Sequence, residues 1–556
     1  MSGALDSFFS HYYRRRPVNA TFTGVHMFDD VLPDWSPAGL EVLDDEMHAL
    51  ARELSVAHQT PSSARAFRDE PQLLDAELAR SFLETQLTEN ASNHGVRRNP
   101  SLWTGEAVFS IIGLMIRNFA PLDERIENAA SRLDAIPAFL RDARATLSDE
   151  DVPRAWADRA IREIAGAEIL LTRGIEAWLA SDVHSARVAA RLRVGAQHAR
   201  AAFAEFAEWL RSMPDAPEPV LACGPAMYDV LLARGHHCSR SRADLLADVR
   251  IRFTAERARL DIMASSITGS WSAAQDALAA DAPSPDDYFS TFRRTWDECQ
   301  SHVTSHNAVT WPNWPIQYVP IPEWTAEAAP YLYYLYYRSP APLDPYSTYD
   351  YVVPMVPAEG AREFLRAWNN SVIRLNHVVH HGGIGHHVQN WHAYHRARTR
   401  VGKIAAVDCA SRIGMFPGGT MAEGWACYAT QLVGELGFLT PLERLAEQHS
   451  RVRFLARAVV DIELHQRTMS FDDAVRLYTG KVGLSEPVAR AEVVKNSMFP
   501  CTAIMYWLGW QGIVDLREAL RVKRGSAFSP KAFHDELLGL GSIPVPLASR
   551  IMMADD

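Results

Sequence analysis

Apolar residues recur at every third or fourth position along most of this chain, a period that commits it to packed helices rather than sheets. From about Leu5 to Arg211 helix follows helix, rich in Ala, Leu, Arg and Glu and poor in β-branched runs. The run Pro214-Asp215-Ala216-Pro217-Glu218-Pro219 ends this block, because proline lacks an amide hydrogen and clashes with the preceding turn. The helical period resumes at Ser239 and continues towards Ala280. Between 311 and 357 it is lost. Trp311-Pro312-Asn313-Trp314-Pro315 and Pro320-Ile321-Pro322 precede the aromatic run from Tyr331 to Tyr337, a texture that predicts a short β-ribbon. Helical spacing then returns from Glu359 to Met552. The expected fold is mainly α, with three regions at 1–213, 214–358 and 359–556, or one continuous domain.

At 556 residues the chain exceeds the ~250–300 residues at which a single core stops growing. Hydrophobic residues at 47% and charged residues at 22% exclude a mainly disordered chain. A net charge of -11 and a pI near 6.0 argue against nucleic acid, which needs a concentrated basic face. The Arg14-Arg15-Arg16 cluster reads as a solvated helix face. No stretch approaches the ~20 apolar residues of a spanning helix, and the opening residues lack the pattern of a secretory signal. A cytoplasmic protein with no membrane partner is therefore expected. Cys223, Cys238, Cys299, Cys409, Cys427 and Cys501 stand singly, without a CxxC pair, and are expected to be reduced. The phosphate loop, the dinucleotide fingerprint and the G-x-S-x-G elbow are all missing from the sequence.

The chemistry concentrates in one segment. His377, His380, His381, His386, His387, His392 and His395 supply a third of the 21 histidines within nineteen positions. Helical periodicity from Phe364 through Val379 places His380 and His381 at a helix end. Gly382-Gly383-Ile384-Gly385 interrupts it, and His386 and His387 open the next helical stretch. A metal ion needs imidazoles converging within ~2.1 Å of one point. Residues six or seven apart on an unbroken helix cannot share an ion, so the glycine break is what permits convergence. His380 with His386, or His387 in its place, then forms the candidate metal pair. A carboxylate must come from elsewhere, and Glu423 in Ala422-Glu423-Gly424-Trp425-Ala426 is the candidate third ligand. His392 and His395 read as surface or supporting groups.

At these residues the sequence resembles a bacterial, zinc-peptidase-like family catalogued as a domain of unknown function (number eight-eight-five), whose signature is His-Glu-Gly-x-Pro-Gly-His-His-x-Gln. Here it stands as His380-His381-Gly382-Gly383-Ile384-Gly385-His386-His387-Val388-Gln389. The resemblance continues through Glu423-Gly424-Trp425-Ala426-Cys427-Tyr428, through Arg457, Asp461 and His465 spaced four apart, and through Pro500 to Gly509. It implies a metallopeptidase-like helical fold, zinc held by His380, His386 or His387, and Glu423, and a helix face from Arg457 to His465 that orients ligands or substrate. Within a hydrolase reading, Tyr506 is the candidate hydrogen-bond donor to a developing oxyanion.

The departures from the signature matter as much. Where the family carries a glutamate suited to general-base work, this chain carries His381; proline becomes Ile384, glycine becomes Cys501 and glutamine becomes Thr502. Three readings follow. His381 acts as base or as an added ligand in a divergent hydrolase of a small amide, ester or short peptide-like substrate. Alternatively, the histidine-rich site holds iron or manganese for non-hydrolytic chemistry. In the third, the chain is a catalytically inactive scaffold.

Overall fold

The computed structural model describes residues 2–57, 64–147, 151–332, 337–338, 341–344, 349–408 and 414–554. Among them helices dominate, as the periodicity predicts. The largest apolar core joins Phe8 and Tyr12 of the first helix (Ser2–Arg15) to Tyr349 and Tyr351, to Val378 and Val379, and to Leu547 and Met552 near the other end of the chain. A second core is built by the helices Pro100–Met115, Leu122–Thr146, Arg154–Ile169 and Ala186–Ser212, around Trp103, Leu133 and Phe206. Packing in the larger core thus crosses both positions, 213 and 358, at which the sequence suggested regional boundaries. No helix among the described residues is long and apolar enough to cross a membrane.

The β-ribbon is present as a three-stranded sheet of order β1-β3-β2. β1 (Ile316–Pro320) runs parallel to β3 (Tyr349–Val353), and the two-residue β2 (Tyr337–Arg338) runs antiparallel to it. Residues 333–336 of the aromatic run lie outside the described residues. β3 is buried, and the Tyr351 hydroxyl bonds the His377 Nδ1 at 2.6 Å. The sheet is thereby fixed to the back of the histidine segment.

Candidate metal centre

The helix carrying His377, His380 and His381 does not begin at Phe364. Ala361–Ala367 ends at Trp368, and the Asn369 side chain accepts the Val372 N–H at 3.0 Å, capping a new helix from Asn370. Apolar spacing continues across this cap, which is why the sequence reads as one run. From Ile373 to Gly382 the helix is π-wound, a winding that clusters at functional sites. It closes with the Gly383 N–H on the Val378 carbonyl at 2.6 Å and the Gly385 N–H on the Val379 carbonyl at 2.8 Å.

The turn that follows can be made only with glycine. A Cβ on Gly385 would stand 1.8 Å from the His380 carbonyl oxygen, so any side chain there would block the fold-back over His380. Two indoles grip the turn by its backbone: Trp296 Nε1 donates to the Gly382 carbonyl and Trp425 Nε1 to the Ile384 carbonyl, each at 2.8 Å. His386 then opens the helix His386–Arg396. Glu423 lies early in the helix Gly419–Glu435. That helix meets Ile504–Arg524 so closely that a Cβ on Gly509 would lie 1.9 Å from the Thr420 carbonyl oxygen. The contact sets Tyr506 beside Glu423, and the Tyr506 hydroxyl donates to Glu423 Oε1 at 3.0 Å.

The other carboxylate oxygen, Glu423 Oε2, is 3.4 Å from His380 Nε2 and 3.8 Å from His386 Nε2. It is buried and has no hydrogen-bond partner. One ring nitrogen each from His380, His381 and His386 lies within 4.8 Å of the other two. His381 Nδ1 donates to the Asn376 carbonyl at 2.6 Å, which fixes the tautomer and leaves Nε2 unprotonated. Burial and the neighbouring imidazoles depress His381, and burial with His380 lowers His386 to about 4, against the pull of Glu423. Burial opposes ionisation of Glu423, but His380, His386 and His381 together hold it below the ordinary carboxylate range. Imidazoles around an ionised carboxylate with one orphaned oxygen form a donor set suited to zinc, iron or manganese. The residues present fit a metal ion.

Other residues singled out in the sequence stand elsewhere. His387 turns away from the cluster, with Nε2 on the Trp314 carbonyl at 3.1 Å, so the histidine facing Glu423 is His386. Tyr506 commits its hydroxyl to Glu423 rather than to open space. Arg457 pairs bidentately with Glu492 at 2.9 and 2.7 Å, and its guanidinium sits 5.2 Å over the Tyr506 ring, steadying the tyrosine. Asp461 accepts the N–H groups of Cys501 and Ile504 at 3.1 and 2.9 Å and so anchors the segment leading into Tyr506. His465 bonds through both nitrogens, Nδ1 accepting from the Cys223 N–H at 3.2 Å and Nε2 meeting the Asn496 carbonyl at 3.0 Å. These are positioning roles rather than contacts with the cluster. His392 is buried against the Thr310 carbonyl at 3.0 Å, whereas His395 is exposed.

One group went unnoticed in the sequence. Asp408 is exposed, yet desolvation together with the Glu423 charge raises its carboxyl to about 7. No motif surrounds it, and only the fold brings it near Glu423. The described cysteines, Cys223, Cys238, Cys299, Cys427 and Cys501, are free thiols; Cys409 lies outside the described residues.

A large helical protein with a histidine-carboxylate cluster behind a glycine turn is thus the class that fold and site define. The family model described as "Bacterial protein of unknown function (DUF885)" matches residues 17–552, and the chain belongs to that family. No curated protein matches it. Among solved structures it is similar to "a putative lipoprotein of unknown function" from Shewanella oneidensis, at 20% identity and a TM-score of 0.77, covering 99% of both chains. It is also similar to a "putative lipoprotein" from Colwellia psychrerythraea, at 16% identity and a TM-score of 0.79, covering 99% of this chain and 98% of that one. At these identities the likeness establishes the fold. The descriptions of these two proteins overturn the cytoplasmic placement expected from the sequence: an opening without a recognisable signal pattern was too weak a basis for it.

Proposed function

We propose that the protein is a metal-dependent hydrolase with a divergent, zinc-peptidase-like site, acting on a small amide, ester or short peptide-like substrate. The observation carrying this reading is the cluster of His380, His381 and His386, two of whose imidazoles, those of His380 and His386, face the orphaned Oε2 of Glu423. His380, His386 and Glu423 would hold the ion, and His381 Nε2 joins them as a fourth donor or faces the substrate. A bound divalent ion supplies Lewis acidity and brings the pKa of a coordinated water towards ~7. Around it, the Tyr506 hydroxyl keeps Glu423 Oε1 engaged and so directs Oε2 at the imidazoles. Asp408, near Glu423, is the carboxyl available for proton transfer now that a histidine occupies the family's glutamate position.

Elemental analysis of protein purified without an affinity tag tests the reading, together with a panel of small esters and amides. One equivalent of zinc and metal-dependent turnover are expected. His380→Ala and Glu423→Ala should each lose the stoichiometric metal while keeping the helical circular dichroism signal, because the cores lie elsewhere. Full metal content in both variants would refute the ligand assignment. A second reading, non-hydrolytic chemistry on iron or manganese, is favoured by the third imidazole, His381, in the donor set. Iron or manganese in place of zinc, with no hydrolysis, would select it.

A further inference from the structure

The Arg14-Arg15-Arg16 cluster divides its work in the fold. Arg14 and Arg15 both meet Glu46, Arg15 through two bonds of 2.7 Å. Arg16 turns inward instead. Its guanidinium donates to the Gln86 Oε1 and lies 5.1 Å over the Phe82 ring. Among the described residues no carboxylate comes within ion-pair distance of it. Gln86 stands between Arg16 and Glu89, since its Nε2 donates to Glu89 Oε2 at 3.2 Å.

Arg16, Gln86 and Glu89 face a partly open cavity of about 170 Å³, whose walls include Trp35, Leu43, Met47, Phe82, Met498 and Phe499. The second arginine at this cavity, Arg15, is neutralised by Glu46, so Arg16 is the guanidinium left to address the interior, while Gln86 engages Glu89, whose carboxyl burial raises towards its uncharged form. Arg16 is half-buried, and a partly desolvated cation gains from a counter-charge. A guanidinium presents a planar donor edge that matches a carboxylate. A cavity of about 150 Å³ accommodates benzene, so the apolar walls leave room for a body of about one aromatic ring. We propose that this cavity is a binding site for a small amphiphilic monocarboxylate, with the carboxylate on Arg16 and the apolar body between Phe82, Trp35 and Phe499. The site is independent of the metal reading. Phe499, Pro500 and Thr502 of its wall flank Cys501, whose N–H Asp461 holds, so an occupant would rest against the segment that leads into Tyr506.

Titration calorimetry with benzoate, and with benzyl alcohol as its uncharged analogue, tests the proposal on metal-free and metal-loaded protein alike. Benzoate should bind saturably in the millimolar range or tighter and in preference to benzyl alcohol. Arg16→Gln should weaken benzoate by about tenfold or more, the loss expected for a charge-assisted hydrogen bond, and leave benzyl alcohol unchanged. Leu43→Trp, which fills the cavity from a partly exposed wall, should abolish both. If Arg16→Gln does not fold, the wild-type preference for benzoate and the Leu43→Trp result decide the matter. The proposal is overturned if wild type shows no saturable benzoate binding. It is equally overturned if benzoate binds Arg16→Gln as tightly as wild type, or if it persists in Leu43→Trp.

Discussion

In the proposed hydrolase, His381 is the residue on which the chemistry would turn. Its Nδ1 donates to the Asn376 carbonyl at 2.6 Å, a bond that a carboxylate cannot make because it has no proton to give. His381→Glu should therefore swing its side chain away from Asn376 while leaving His380, His386 and Glu423 in place. The expected outcome is retained metal with loss of native turnover, read by elemental analysis and activity side by side; unchanged turnover would show that His381 is idle. The site was partly legible in the sequence. Glycines between two histidine pairs foretold a turn, and His380, His386 and Glu423 do meet. The choice of His386 over His387 was not legible, because it depends on the Trp314 carbonyl, which lies far away in the chain. The four-residue spacing of Arg457, Asp461 and His465 gave a common helix face but not its partners: Glu492, the backbone at 501 and 504, and Asn496 come from other segments. Cys501 carries a readable trace, for the glycine that the resemblance implied at that position agrees with the φ of 61° that this cysteine adopts.

Elements set the distance between Glu423 and Tyr506. The two helices approach through Gly424 and Gly509, and a Cβ on either would meet the backbone opposite at 2.5 or 1.9 Å. Gly509→Ala must push the helices apart and lengthen the Tyr506–Glu423 hydrogen bond. A loss of about 2–4 kcal/mol is expected, in the range of core overpacking and large single-site effects, with weakened metal retention alongside. Denaturant unfolding and metal content check it, and a variant that keeps both would show that the contact yields freely. At this scale the mainly helical fold and the ribbon were readable from period and proline content. The π-winding of Ile373–Gly382 was not, because the wider winding barely alters apolar spacing over only ten residues. Nor was the parallel pairing of β1 with β3, since strand partners are chosen by the fold around them.

For the whole molecule, buried histidines make acid the weak side. Burial lowers His11, His236, His237, His387, His392, His449, His465 and His534 to about 4 and His377 to about 3. An unfolded histidine takes a proton near pH 6.5, so the stability these groups contribute is complete above 6.5 and is lost as pH falls towards 4. Burial acts oppositely on carboxyls, raising Asp75 to about 6 and Glu106 and Asp461 to about 7, and these favour the fold on acidification. Nine imidazoles outnumber three carboxyls, and an excess of six protons corresponds to roughly 8 kcal/mol per pH unit at the steepest point. Against an ordinary net stability of about 5–15 kcal/mol, cooperative unfolding is expected within about two pH units below 6.5. Melting temperature followed from neutral pH downwards checks this; a flat profile to pH 4.5 would contradict it. His26 acts on the alkaline side. Burial alone would lower it, but Asp29 and Asp344 at 2.8 and 2.9 Å raise it to about 9. Its contribution is complete below 6.5 and fades as pH rises through 9, and His26→Gln should remove that alkaline slope.

The two indoles that hold the glycine turn bond only its carbonyl oxygens. Such a grip is indifferent to which side chains the turn displays, provided its glycines remain. Variation at position 381 is therefore uncoupled from the cost of rebuilding the loop, and different side chains there can be displayed on one intact scaffold.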